Sequence, residues 1–181
     1  MKLPAALVCC LLITTLTAQA EQEVILSAGK GLGNALMQRD SIASAEMAGV
    51  NYSAKFAEFP LDSGLWQWWV QGSYSQLQLT DDGEQQEQNV TELKPVLRWY
   101  PRSTAEGLFG EAGVGAAYLS EKSFGDIELT THGNFALHFG AGYRLRNGAV
   151  ASVRYSHFSN AYTNTPNPGF DFASLNWHFN F

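Results

Sequence analysis

The sequence has no cysteine beyond its first twenty residues, and it lacks any apolar run long enough for a membrane-spanning helix. Cys9 and Cys10 both fall inside the apolar stretch 7–16, so no disulfide is available to the rest of the chain. That stretch is too short to cross a bilayer, and no other segment approaches the roughly 18 consecutive apolar residues that a helical span requires. These absences exclude a disulfide scaffold and a helical membrane protein.

The sequence is also short of positive charge. Residues 1–20 have the features of a cleaved secretory signal: Lys2, the apolar stretch, and the small residues Ala18 and Ala20 around the cleavage site. Cleavage would leave residues 21–181, in which 10 basic side chains face 17 acidic ones, a formal charge of −7. That balance argues against a nucleic-acid partner. We therefore expect an exported acidic domain over residues 21–181.

What the chain does contain is alternation with a period of two residues. Within residues 65–79, for example, one predicted face is apolar and the other polar, as expected of a half-buried strand; the apolar face carries Trp66, Trp68, Val70 and Tyr74, and the polar face Gln67, Gln71, Ser73 and Ser75. Pro95 is an expected weak point, because proline donates no hydrogen bond to a neighbouring strand. We count eight strands of about the length that a tilted membrane strand needs, at residues 24–33, 47–56, 65–79, 89–100, 107–120, 132–145, 150–159 and 170–181.

Alternation alone does not separate a soluble sandwich from a membrane barrel, because both place apolar residues on one face of each strand. The chain ends in Trp177-x-Phe179-x-Phe181, which resembles the C-terminal strand of bacterial outer-membrane barrels. Together with the signal, the absent disulfides and the even strand count, this favours the barrel. We predict an all-β, eight-stranded antiparallel transmembrane β-barrel with periplasmic termini, and a sandwich is the alternative.

The connections between the strands fit the same interpretation. If both termini are periplasmic, the periplasmic connections are the shorter ones, namely the segments EFPLDSG, PRSTAE and RNG. The segment DDGEQQEQ and residues 121–131 and 161–169 then form the outer loops. Eight strands enclose an interior too narrow for a solute channel, which excludes a porin.

The stretch YSHFSNAYTNTPNPGFD, residues 155–171, carries the candidate chemistry. His157 and Ser159 are two residues apart on one predicted strand, and Asp171 continues the apolar face of the next strand. Because Arg154 belongs inside the barrel, the odd-numbered residues of its strand face lipid. A serine, an imidazole and a carboxylate are the groups that a serine hydrolase uses. We therefore predict a lipid-facing catalytic site near the outer rim, although polar residues marking the end of the membrane band are the plainer interpretation.

The remaining histidines have a simpler explanation. By parity, His132, His138 and His178 point into the barrel, where polar contacts account for them without catalysis. No cluster of histidine, cysteine and carboxylate residues has the spacing of metal ligands. No metal or other cofactor is implied.

The residues of the candidate site resemble a known family. The motif HFSNA, followed by Asn167 and an acid at position 171, is similar to the outer-membrane lipid A 3-O-deacylases of the PagL type, as are the segments FGEAGVGAAYLS and HFGAGYRLRNGAVASVRYSH. The resemblance implies an esterase of the Gram-negative outer membrane that removes the acyl chain at position 3 of lipid A. It implies Ser159 as nucleophile, His157 as general base, and Asp171 where the family has a glutamate. It also implies Asn167, with the neighbouring Asn160, at the oxyanion or substrate.

Two other functions fit the same residues. A non-catalytic barrel with a structural or adhesion role needs only the strands and the long outer loops. An outer-membrane phospholipase would use the same serine chemistry on a different lipid. The sequence is compatible with a monomer and with a homodimer.

Overall fold

A computed structural model of the chain describes residues 21–33, 42–81 and 83–181. The predicted signal, residues 1–20, lies outside this part. The strands are β1 (Gln22–Gly33), β2 (Glu46–Leu61), β3 (Gly64–Asp81), β4 (Glu84–Tyr100), β5 (Gly107–Leu119), β6 (Ser123–Phe124), β7 (Ile127–Glu128), β8 (Gly133–Arg144), β9 (Val150–Ser159) and β10 (Phe170–Asn180). Within the described residues, no helix is long and apolar enough to cross a membrane.

Eight of these strands close into an antiparallel barrel. Their order around the wall is β1-β10-β9-β8-β5-β4-β3-β2, and β6 pairs only with β7 in a small hairpin of its own. Each barrel strand pairs with its neighbour along the chain, and β1 closes the wall against β10. A sandwich would instead have two sheets with open edges. The predicted eight-stranded barrel is confirmed.

The middle of the barrel is filled by buried charges that neutralise one another. Arg98 donates to Glu23 at 2.8 Å and to Glu111 at 3.3 Å, and Arg154 donates to the same Glu111 at 2.5 Å. These side chains are at most 4% exposed. Apolar side chains face outward at the same level, as in a barrel that turns its apolar surface to lipid. Burying the charges is tolerable because each is paired.

At the end of the barrel that carries the candidate site, the interior changes from polar to apolar. On β3, Leu77 and Leu79 are fully buried, while Gln76 and Gln78 point outward. Phe124 of β6 and Phe170 and Phe172 of β10 belong to the same core. An apolar interior with polar residues outside is the arrangement of a protein in water. This end of the barrel therefore extends past the lipid and is closed by a hydrophobic core.

Two connections that the sequence predicted are mostly strand, so that part of the prediction was wrong. Pairing of β3 with β4 continues out to Asp81 and Glu84, so most of the segment DDGEQQEQ lies in β4. The segment EFPLDSG likewise contributes to β2 and β3 and leaves a turn at Asp62 and Ser63. Strands that protrude into water need no apolar outer face, so their polar sequence resembles that of a loop. The connections PRSTAE and RNG are confirmed as turns and bends.

Pro95 interrupts one of its two ladders. Pairing of β4 with β5 runs from Leu93 to Val96 without a partner for the two residues between them, whereas pairing of β4 with β3 continues through Pro95. The predicted weak point is confirmed on the β5 side. The missing amide hydrogen is the physical reason.

Candidate active site

The structure brings His157 and Asp171 together on the outside of the barrel. His157 lies near the end of β9 and Asp171 near the start of β10, and the two are direct cross-strand partners. The same parity places Ala151, Val153 and Leu175 on the exposed outer wall. The predicted lipid-facing orientation therefore matches the geometry of both strands.

One short hydrogen bond links these two side chains. The His157 Nδ1 atom lies 2.6 Å from the Asp171 Oδ1 atom. Asp171 is completely buried, and the His157 side chain is 13% exposed. Because an ionised carboxylate only accepts hydrogen bonds, the ring proton is assigned to Nδ1 in the neutral imidazole. The Nε2 atom then carries the lone pair that a general base requires.

Ser159 follows His157 by two residues on the same strand. It is 9% exposed, and its cross-strand partner on β8 is Phe135, an outward-facing aromatic residue. In the described part of the chain, Ser159 makes no hydrogen bond to His157. Contacts between nucleophile and base are often long in the absence of substrate and tighten when substrate binds. The hydroxyl thus lies beside an apolar wall, on the strand that carries the imidazole.

Asn160 holds together the loop that follows Ser159. Its Nδ2 donates to Thr130 Oγ1 at 2.7 Å and to the Pro166 carbonyl at 3.1 Å, and its Oδ1 accepts from the Tyr162 N–H at 2.8 Å. Ala161 and Tyr162 have left-handed backbone conformations, with φ of 50° and 61°, so the chain turns sharply here. Both ends of the Asn160 amide are thus occupied by the protein. These contacts shape the loop, and a role of Asn160 at the oxyanion or substrate stays a prediction.

Asn167 is held at its oxygen end, and its Nδ2 is the amide's donor end. Its Oδ1 accepts the Asn160 backbone N–H at 2.8 Å. A backbone N–H can only donate, so this contact fixes which end of the Asn167 amide is oxygen. Nothing among the described residues accepts a hydrogen bond from its Nδ2. A preoriented N–H donor near a nucleophile is the kind of group that stabilises an oxyanion.

Gly169 packs against the imidazole, a contact that the sequence analysis missed. A Cβ atom at this position would lie 2.6 Å from His157 Cε1 and 3.1 Å from Nε2. Only a residue without a side chain leaves the ring where it is. The signal available in the sequence was the Pro168-Gly169 pair, which indicates a turn but not what the turn touches.

The other histidines lie away from this site. His138 and His178 are buried inside the barrel, as predicted. His132 is not inside: its ring stacks on outward-facing Tyr118, with centroids 5.5 Å apart, and its Nδ1 contacts the Leu119 carbonyl. It precedes β8, so strand parity does not govern it. In the described part of the chain, no group of three histidine, cysteine or acidic residues could hold a metal ion.

Comparison with known proteins adds a family to this geometry. The profile of the family "Lipid A 3-O-deacylase (PagL)" matches residues 46–180. The chain belongs to this family. The match includes all five residues singled out from the sequence, from His157 to Asp171.

Individual relatives agree with the family match. The lipid A deacylase PagL of Bordetella bronchiseptica is 34% identical over 128 residues, covering 65% of this chain and 70% of that protein. The lipid A deacylase PagL of Pseudomonas aeruginosa is 42% identical over 67 residues, covering 37% and 39% of the two chains. A crystal structure described as the outer membrane enzyme PagL matches with a TM-score of 0.71 at 22% identity, over 87% of this chain and 98% of that one. This last likeness shows the fold. Family and barrel together point to the outer membrane.

Proposed function

We propose that this protein is an outer-membrane serine esterase that hydrolyses the ester-linked acyl chain at position 3 of lipid A. The observation that carries the proposal is the 2.6 Å contact between the side chains of His157 and Asp171 on the outer face of the wall. His157 precedes Ser159 by two residues on the same strand. Family membership supplies the substrate class. The geometry supplies a base, an orienting acid and a hydroxyl.

The chemistry assigns one task to each group. The Ser159 Oγ attacks the acyl carbonyl carbon while His157 Nε2 takes the hydroxyl proton, and Asp171 stabilises the imidazolium that forms. Collapse of the tetrahedral intermediate breaks the ester bond, and His157 returns the proton to the departing sugar hydroxyl. Water, deprotonated by His157, then attacks the acyl carbonyl carbon, and the second tetrahedral intermediate expels the Ser159 oxygen, which takes the proton back from His157. The products are a fatty acid and lipid A with a free 3-hydroxyl group.

Asn167 supplies the donor that the tetrahedral oxyanion needs. Its amide is oriented before substrate arrives, because the Asn160 backbone N–H holds its oxygen end. Preoriented donors cost no reorganisation during the reaction, and one such donor is worth about 10²–10³ in rate. Asn160 acts here through Asn167 and through the shape of the loop.

The outward position of the site suits a substrate that stays in the membrane. Phe135 and Leu137 of β8 are exposed on the same outer wall, next to Ser159 and His157 in the sheet register. Acyl chains can lie along this apolar surface while the sugar remains at the level of the loops. An interior site would require the lipid to enter a barrel that the buried charges and the apolar core already fill.

Mass spectrometry of lipid A from cells producing the protein tests the proposal. Wild type should remove one hydroxyacyl mass, Ser159→Ala should remove none, and Ser123→Ala, an exposed serine at the same end of the barrel, should behave as wild type. Activity retained by Ser159→Ala would refute the assigned nucleophile. Unchanged lipid A from folded wild type, both in cells and in detergent micelles, would favour a non-catalytic structural or adhesion barrel.

The substrate is tested separately from the chemistry. Phospholipid vesicles without lipid A should release no fatty acid when purified protein is added. Release that depends on Ser159 would make the protein an outer-membrane phospholipase with the same catalytic residues. Removal of residues 1–20 on export stays a prediction that N-terminal sequencing checks, and sedimentation in detergent distinguishes a monomer from a homodimer.

A further inference from the structure

Tyr155 lies next to the His157–Asp171 pair and has no part in the chemistry described so far. It precedes His157 by two residues on β9 and shares its outward face. In the sheet register it stands opposite Ala173, two residues beyond Asp171 on β10. Its ring packs on Phe139 of β8, with centroids 4.9 Å apart and planes tilted by 32°. This packing places the phenol along the wall beneath the pair.

The Tyr155 side chain lies beside a buried carboxylate on the same face of the wall. Asp171 is completely buried, and one of its oxygens is engaged by His157. The Tyr155 oxygen is also shielded from solvent and makes no hydrogen bond of standard geometry to a described residue, and the register places the ring diagonally across from Asp171 on the same face. A buried carboxylate is stabilised only if nearby donors replace the water it has lost.

The nearest sheet partners of Asp171 carry no polar side chain of their own. Its partner on β1 is Gly33, and its outward neighbour on β10 is Ala173. Lys30 of β1 stands opposite Ala173, but it is largely exposed and its ammonium lies 3.9 Å from Glu46 of β2. The phenol of Tyr155 approaches the carboxylate from the lipid side.

We propose that Tyr155 is a positioning residue, whose hydroxyl donates to the Asp171 carboxylate and sets the orientation in which that carboxylate holds His157. This inference rests on the proposed function. The donation draws electron density from the carboxylate and limits its rotation about the side-chain bond. An ordinary interfacial tyrosine would contribute only its ring, and phenylalanine would replace it without loss.

Tyr155→Phe separates these two roles because it keeps the ring and the packing on Phe139. We expect kcat on lipid A in micelles to fall about 10-fold, as for loss of one hydrogen bond to a charged group. KM should stay within about two-fold, because substrate binding does not use this hydroxyl. The acid limb of the kcat/KM profile should move to higher pH. Without the phenol hydrogen bond, the carboxylate keeps more negative charge and stabilises the imidazolium, which cannot act as base. Tyr143→Phe, another exposed outward tyrosine on β8, should match wild type.

An NMR titration of the labelled His157 ring in the Ser159→Ala background gives a readout that needs no activity. Adding Tyr155→Phe should move the protonation midpoint of His157 to higher pH, and adding Tyr143→Phe should not. If that shift occurs but wild type deacylates nothing, the proposed function fails and the positioning role stands. If neither the titration nor kcat differs from the Tyr143→Phe control, or if only KM changes, the positioning role is wrong.

Discussion

His157 and Asp171 are direct cross-strand partners, and their Nδ1 and Oδ1 atoms lie 2.6 Å apart on the outer face of the barrel. Directly opposed residues in an antiparallel pair have Cβ atoms about 4.5–5.5 Å apart, which is close enough for an aspartate to reach an imidazole. The barrel wall therefore sets this contact more firmly than a loop could.

Asp171→Asn should reduce kcat by about 10⁴, because an amide can donate to Nδ1 and favours the tautomer that leaves no base facing Ser159. The measurement is single-turnover deacylation of lipid A in micelles. Asp126→Asn, an exposed acid in the outer hairpin, is the matched control and should leave kcat unchanged. A fall of less than ten-fold for Asp171→Asn would remove this residue from the proposed mechanism.

Asn167→Asp should reduce kcat by about 10²–10³, because it replaces the N–H donor by an oxygen while keeping the acceptor for the Asn160 N–H. KM should change little, since the donor acts on charge that develops in the transition state. Asn164→Asp, an exposed residue of the same loop, controls for the added negative charge. Equal effects of the two substitutions would mean that charge in the loop, and not the donor, accounts for the loss.

Gly169→Ala should displace the imidazole, because the new Cβ atom would lie 2.6 Å from His157 Cε1. A displacement of this size near reacting atoms costs about 10² in kcat. The added methyl group acts through this local contact, so the thermal unfolding temperature of the barrel should match that of wild type. Gly72→Ala is the control, since its nearest neighbour would be the Glu92 carbonyl at 4.0 Å. Wild-type kcat in Gly169→Ala would show that the ring tolerates movement.

Glu111→Gln should lower the free energy of unfolding by about 3–5 kcal/mol, because it leaves Arg154 buried without the carboxylate that it contacts through two nitrogens. Arg98 keeps Glu23 as a partner. The measurement is urea unfolding of the protein in lipid vesicles. Glu106→Gln breaks an exposed 3.9 Å contact to Arg146 and should change stability by about 0–1 kcal/mol. Similar losses for both variants would argue against the buried network as a stabilising element.

The alternation of the sequence predicted the strands and the direction of their side chains, and the signal, the absent disulfides, the even strand count and the C-terminal aromatic residues favoured a barrel over a sandwich. A strand that slips by one residue turns every side chain to the other face. A consistent apolar face therefore determines which alternate residues point outward. Strand β9 begins and ends where the sequence placed it. Charged Arg154 is expected inside the barrel and apolar Val153 outside. Because His157 and Ser159 occupy odd-numbered positions like Val153, alternation predicts that they point outward.

Alternation was less informative at the ends of β3 and β4, where the strands pass from lipid into water. Residues 84–88 are polar on both faces and resemble a loop, yet all five pair with β3 above the lipid. The same change of solvent inverts β3 at Leu77 and Leu79, whose side chains point into the apolar core. Sequence patterns reflect the surroundings of a strand as well as its existence, so strand ends outside the membrane were missed.

The sequence by itself determined the strands, their facing and the three candidate catalytic residues, because each of these depends on residue type and a period of two. Only the tertiary structure decided which groups touch: Gly169 against the imidazole, Asn167 on the Asn160 N–H, and Tyr155 beside Asp171. The first contact joins the loop 160–169 to β9, the second lies within that loop, and the third lies between β9 and β10. The first two depend on how the loop folds back over β9, and the third on how the two strands pair, none of which a local periodicity encodes.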